Sequence, residues 1–147
     1  MDYPGHTDAV LGLSWNRGQR SLLASGSADT TVRLWDLNEL ETLRVYTHHS
    51  EKVEVVAWNP EEVAVLATGA HKGEVAVFDT RTPDAVATWD FGSDVECLQW
   101  CPWEPSSFVV GTAEGKVIKC SAHAPGKPVF TLEAHDAAVA CLSLSPT

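Results

Sequence analysis

Trp15, Trp58 and Trp100 stand 43 and 42 residues apart. A period of that length in a chain of 147 residues means one supersecondary unit copied along the chain, and it limits the fold more than any other feature. The register carries more than tryptophan. A slide of 43 places His6 on His49, Val10 on Val53, Asn16 on Asn59, Ser25 on Thr68, Gly26 on Gly69, Val32 on Val75, Trp35 on Phe78 and Asp36 on Asp79 without a gap. A further slide of 42 brings Val95, Trp100, Gly111, Gly115 and Val117 into line. A fourth copy opens at Ala134-His135, with Val139 in the position of Val10. The chain is therefore expected to be one domain of three repeats, at about 5–47, 48–90 and 91–133, with the first strand of a fourth at 134–147.

Each unit reads as four short strands. The first alternates two sets of residues, as in Val10, Gly12, Ser14 against Leu11, Leu13, Trp15. Both sets are mostly small or apolar, so both faces of the sheet are expected to be covered. Second strands are expected at 22–25, 65–68 and 108–110, third strands at 31–35, 74–78 and 116–120, and fourth strands at 41–46, 85–89 and 128–132. Hairpin turns rich in Gly, Asp and Thr separate the second from the third. The Pro-rich segments 101–107 and 124–128 read as loops, and no helix is expected. Four strands per 40–45 residues is the arithmetic of a propeller blade. Such a blade buries its faces only by stacking on neighbours. The expected fold class is all-β, a partial β-propeller of three four-stranded blades plus one strand.

Composition excludes several functions. Ten Lys and Arg oppose 20 Asp and Glu, a formal net charge of −10. A nucleic-acid binder usually shows a basic stripe, and this chain has none. No apolar run approaches the roughly 20 residues of a membrane-spanning helix. The first ten residues carry neither a basic stretch nor an apolar run, so no secretory signal is expected. Four cysteines, unevenly placed, do not make a disulfide framework; a reducing compartment is expected.

The strings GHTDAVLGLSWN and ASGSADTTVRLWDL strongly resemble the WD-repeat β-propeller family. Gly5-His6 and Trp35-Asp36 match its two signature dipeptides, 29 residues apart from His to Trp. The second repeat has His48 for Gly5 and Phe78 for Trp35; the third has Phe91 for His6 and Cys120-Ser121 for Trp-Asp. The resemblance covers essentially the whole chain. Together with KPVFTLEAHDAAVACLSLS and the spaced tryptophans, it is nearest to family members of ribosome biogenesis. Those chains are several times longer, so a piece of a longer protein is expected here.

Several constellations invite chemistry. His6, Ser25 and Asp29 are the residue types of a hydrolase triad. The family resemblance implies a different role: a buried structural relay of hydrogen bonds from Trp35 through Ser25 to His6 and Asp29. Indole and imidazole nitrogens need partners when buried, and this relay supplies them. The relay is expected to be broken in the second repeat by Lys72 and Phe78. It is expected to be absent from the third, with Phe91, Val110, Glu114 and Cys120, so the later blades should hold by apolar contacts alone. Cys120 and His123 have a zinc-like spacing, but Cys97 and Cys101 lie about 13 Å apart along one strand, too far for one metal. His48-His49 reads as a turn before a strand rather than a metal or pH site. No phosphate-loop, dinucleotide, nucleophile-elbow or zincin motif is present.

The expected function is that of a non-catalytic protein-interaction scaffold, with no catalytic residue, cofactor or metal. The resemblance implies rRNA processing and pre-ribosome maturation in the nucleus and nucleolus. The alternatives are a WD-repeat adaptor in a ubiquitin-ligase or chromatin complex and, in a different class, a hydrolase using Ser25, His6 and Asp29. Binding residues concentrate on loops of a rigid scaffold, which selects His48, His71, Lys72, Trp89, Asp94 and Glu114 as exposed partner-binding candidates. The acidic balance favours basic protein partners over direct contact with nucleic acid; no membrane contact is expected. Self-association through open blade faces is expected as well.

Overall fold

The computed structural model describes residues 5–82, 84 and 86–133. The first blade holds β1 (Val10–Trp15), β2 (Leu22–Ser27), β3 (Val32–Asp36) and β4 (Glu41–Tyr46). The second holds β5 (Val53–Trp58), β6 (Val65–Ala70), β7 (Glu74–Asp79) and β8 (Val86–Asp90), with a short 3-10 turn at His71–Gly73. The third holds β9 (Val95–Cys101), β10 (Glu104–Thr112), β11 (Lys116–Ser121) and β12 (Pro128–Glu133). Each blade is a four-stranded antiparallel meander in chain order. The described residues are thus three blades of a β-propeller. The strand expected after Glu133 lies outside them.

The hairpins follow from their turn chemistry. In the first blade the Ser27 hydroxyl accepts the Asp29 N–H at 3.0 Å, and the Asp29 carboxylate accepts the Thr31 N–H at 2.9 Å. Short oxygen-bearing side chains satisfy backbone donors that a tight turn leaves free. Strand bounds differ from the expected ones by a residue or two except in the third blade. There, 101–107 is not a loop. β9 runs through Cys101, and β10 starts at Glu104, paired with Cys101. The register then jumps between Glu104 and Phe108. Pro105 falls inside that irregularity, where its missing N–H removes no ladder bond.

The core lies between blades. Ala24, Val32, Leu34 and Tyr46 of the first blade pack with Val53, Val56, Trp58, Leu66, Ala76 and Phe78 of the second. Val75, Val77 and Trp89 of the second pack with Val95, Trp100, Phe108, Val110 and Ile118 of the third. Glycine makes the approach close enough. A Cβ at Gly26 would lie 2.6 Å from a Val53 methyl, and one at Gly69 would lie 2.6 Å from a Val95 methyl. β1, whose register shifts between Val10 and Gly12, breaks the expectation that both faces are covered: Val10, Leu11, Leu13 and Trp15 are exposed.

Candidate interaction surface

The structure brings together all four residues expected of a relay. Trp35 Nε1 donates to Ser25 Oγ at 2.8 Å, Ser25 Oγ lies 2.6 Å from His6 Nε2, and His6 Nδ1 lies 2.9 Å from Asp29 Oδ2. β2 supplies Ser25, β3 supplies Trp35, and the turn between them supplies Asp29. Thr31, not foreseen in the sequence, donates its hydroxyl to Asp29 Oδ1 at 2.6 Å. Burial pushes the Asp29 carboxyl up. Bonds from the Thr31 side chain and backbone, the Thr7 N–H and His6 outweigh it, and hold the group well below the usual carboxylate range. Serine, histidine and aspartate are thus linked in the order of a hydrolase triad. All the same they are buried: the His6 side chain is 2% exposed and Ser25 is 1% exposed. The Ser25 oxygen already accepts an indole N–H, and a nucleophile needs an open path to substrate.

In the second blade the relay is shortened, not erased. His49 Nε2 lies 2.6 Å from Thr68 Oγ1, so apolar contacts are not alone in holding this blade. Its Nδ1 has no partner among the described residues. Burial pushes the His49 imidazole down to about 4, against the pull of the Glu74 charge and with a smaller push from His48. Lys72, at the position of Asp29, instead turns outward to Glu51 at 2.9 Å. In the third blade Val110 and Cys120 are fully buried, and burial pushes the Cys120 thiol up to about 12. Among the described residues no cluster of three or more His, Cys, Asp or Glu could hold a metal ion.

Three of the six partner-binding candidates converge at one end of the second and third blades. The Lys72 N–H donates to Asp94 Oδ1 at 2.8 Å, and His71 Nδ1 lies 3.9 Å from Asp94 Oδ2. His71 Nε2 also meets Glu54 Oε2 at 3.1 Å. Glu114 is exposed at the matching turn of the third blade, 3.8 Å from Lys116. Glu51 and Glu54 join this end and were not selected from the sequence. Two candidates are corrected. Trp89 is 3% exposed: it pairs with Val75 across the sheet and meets Phe108 edge-on at 5.1 Å. An aromatic on an outer strand looked like surface, but the next blade covers it. His48 is half-buried between Tyr46 and Phe78, with ring centroids at 6.0 and 4.6 Å. Its Nε2 is out of reach of solvent.

Asn16 and Asn59, unassigned in the sequence reading, tie neighbouring blades. Asn16 Nδ2 donates to the Val63 carbonyl at 2.6 Å, and Asn59 Nδ2 donates to the Pro105 carbonyl at 2.6 Å. Their recurrence directly after Trp15 and Trp58 was the available signal.

Two family models match the chain. The WD domain, G-beta repeat model matches residues 1–36, and the Anaphase-promoting complex subunit 4 WD40 domain model matches residues 43–103. The chain belongs to the WD-repeat family. Over 136 residues it is 34% identical to the periodic tryptophan protein 1 homolog of Drosophila melanogaster, covering 90% of this chain and 30% of that protein. It is 34% identical over 146 residues to periodic tryptophan protein 1 of Saccharomyces cerevisiae, covering 93% of this chain and 25% of that one. An uncharacterized WD repeat-containing protein of Schizosaccharomyces pombe is 40% identical over 142 residues, 97% of this chain and 28% of its own length. The WD-repeat chain therefore spans less than a third of these relatives.

Proposed function

We propose that this chain is a non-catalytic scaffold of ribosome biogenesis, acting in rRNA processing and pre-ribosome maturation in the nucleus and nucleolus. The process rests on the resemblance to periodic tryptophan protein 1, which runs through 90% of the chain. The mode of action rests on the acidic end of the blades. Glu51, Glu54, Asp94 and Glu114 stand there against one lysine contact apiece or a shared histidine. Carboxylates in excess on rigid turns favour basic protein segments. The absence of catalysis is supported by the burial of Ser25 and His6 described above.

Sucrose-gradient sedimentation of nuclear extract carrying the tagged chain tests this reading. The chain is expected in the fractions of pre-ribosomal particles, and Asp94→Lys with Glu114→Lys is expected to release it. A chain found only in light fractions sinks the proposal. Co-sedimentation with another defined assembly instead supports an adaptor role, the reading favoured by the match of residues 43–103 to an Anaphase-promoting complex subunit model.

A further inference from the structure

A recess of about 490 Å³ opens on the second blade, lined by His48, His49, Glu74, Ala76, Thr88 and Asp90. Glu74 and Ala76 of β7 stand opposite Asp90 and Thr88 of β8 in the ladder, so all four side chains share one face of the sheet. Glu74 and Asp90 are thus like charges placed directly opposite, which destabilises a bare sheet. The other blades do not keep this arrangement. The register positions of Glu74 are Thr31 and Lys116, and those of Asp90 are Thr47 and Leu132. Neither carboxylate forms an ion pair among the described residues. Glu74 Oε1 accepts the Ser50 N–H at 3.2 Å and its hydroxyl at 3.0 Å, and Asp90 Oδ1 accepts the Gly92 N–H at 3.0 Å. Lys72, whose charge is felt by Glu74, is committed to Glu51 at 2.9 Å.

His49 is an independent sign of a missing occupant. It is 6% exposed, and its Nδ1 is buried without a partner among the described residues. In the first blade the matching nitrogen, His6 Nδ1, meets Asp29 Oδ2 at 2.9 Å and Thr31 Oγ1 at 3.2 Å. The corresponding positions of the second blade are Lys72, which turns away, and Glu74. His49 Nδ1 is therefore directed to the side of the recess where Glu74 stands. Thr68 Oγ1 donates to the Ala76 carbonyl at 3.4 Å and so accepts the His49 Nε2–H, which leaves Nδ1 a bare acceptor. Burial pushes His49 down to about 4 and His48 below the usual imidazole range, so neither repels an entering cation near neutral pH. The recess thus offers two carboxylates and a lone pair to one entering group. A metal ion does not suit it: no group of three or more His, Cys, Asp or Glu among the described residues could hold one. A guanidinium fits, with five N–H donors in a planar fork, no acceptor, and weaker hydration than an ammonium.

We propose that the recess receives one arginine side chain of a basic protein segment, with its guanidinium bridging Glu74 and Asp90 and an N–H turned to His49 Nδ1. The inference rests on the reading that basic segments bind this chain, and it names the pocket that selects arginine among them. The arginine relieves the repulsion between Glu74 and Asp90. It also makes the bond that His49 lost when Lys72 took the place of an aspartate.

Imidazole nitrogen resonances of the full chain test it, followed by NMR during titration with a blocked alanine pentapeptide that carries one central arginine. Saturable binding that moves the His49 Nδ1 resonance is expected. The citrulline peptide, similar in shape and uncharged, is expected to bind at least about tenfold more weakly. The lysine peptide is expected to bind more weakly too, because a point charge lacks the fork. Glu74→Gln with Asp90→Asn is expected to weaken arginine binding about tenfold or more. It removes a like-charge pair, so thermal melting is expected not to fall. Glu39→Gln with Glu41→Gln makes the same change of charge at exposed positions of the first blade and is expected to leave binding as it is. No saturable binding, or binding that leaves His49 Nδ1 unmoved, overturns the proposal. So does a lysine or citrulline peptide that binds as tightly as the arginine one. These comparisons use the wild type and stand whatever the variants do. Binding that survives Glu74→Gln with Asp90→Asn but is lost in Asp94→Lys with Glu114→Lys overturns the recess and leaves the wider reading standing. Failure of that reading shows separately, in the sucrose gradient.

Discussion

His6 and Lys72 stand at the two extremes of what one side chain contributes in this chain. His6 sits between Asp29 and Ser25 with contacts of 2.9 and 2.6 Å, nearly without solvent. Replacing His6 or Asp29 with Ala leaves buried polar groups unpaired, which costs about 1–3 kcal/mol. Lys72, at the equivalent position of the second blade, points outward to Glu51, and Lys72→Ala is expected to cost much less. Urea melts compare them directly; equal losses would show that the relay adds nothing beyond an exposed contact. His6, Ser25, Asp29 and Trp35 were legible because the family motif names their spacing. Trp89 was not. What buries it is Phe108, in a different blade, and no local pattern on β8 announces that neighbour. The asparagines were half-legible. Asn16 Oδ1 accepts the N–H of Gly18 and of Gln19, each at 2.9 Å, which is the ordinary work of a turn-forming asparagine. The forward bond from its amide to Val63 is nonlocal, and only the recurrence in register hinted at it.

Between elements, the order of strands was legible and the end of the β9–β10 hairpin was not. Period, alternation and turn residues place each meander, because those signals act within one blade. Two prolines in 101–107 suggested a loop, since proline lacks the N–H that a ladder needs. The structure puts Pro105 where the register is already broken, and its carbonyl, which proline retains, is what Asn59 grips. That grip makes a prediction at this scale. Asn59 is 6% exposed and holds two N–H groups, Glu61 and Glu62, besides the Pro105 carbonyl. Asn59→Ala undoes a turn and a joint together, and the unpaired buried groups cost about 1–3 kcal/mol. Asn38→Ala, on an exposed turn, is expected to stay within about 0.5 kcal/mol of the wild type. Chemical denaturation of the two variants decides the matter. Equal stability would mean that apolar packing and the bond from Trp100 Nε1 to the Ala57 carbonyl carry the joint between the second and third blades without Asn59.

For the whole molecule the governing quantity is charge and where the cations are placed. The formal net charge is −10, with ten Lys and Arg in the chain. Lys72, Arg81, Lys116 and Lys119 face Glu51, Asp79, Glu114 and Glu104, so their charge is locally cancelled. Arg17 and Arg20 stand together beside Trp15 in an open groove of about 860 Å³ that has no acidic residue in its wall. An aromatic next to two arginines could stack a base and neutralise about two phosphates. Two phosphates are few. Specific and nonspecific binders alike gain affinity by releasing many counterions, and the salt slope scales with the number of phosphates neutralised. The chain as a whole carries twice as many carboxylates as cations, 20 against 10, and that excess repels a phosphate backbone. Negligible affinity for single-stranded or duplex RNA is therefore expected at physiological salt. A gel shift with both RNAs, across a salt series, measures it. Micromolar binding that weakens steeply with salt would show that the groove outweighs the net charge, and Arg17→Ala with Arg20→Ala would then have to abolish it.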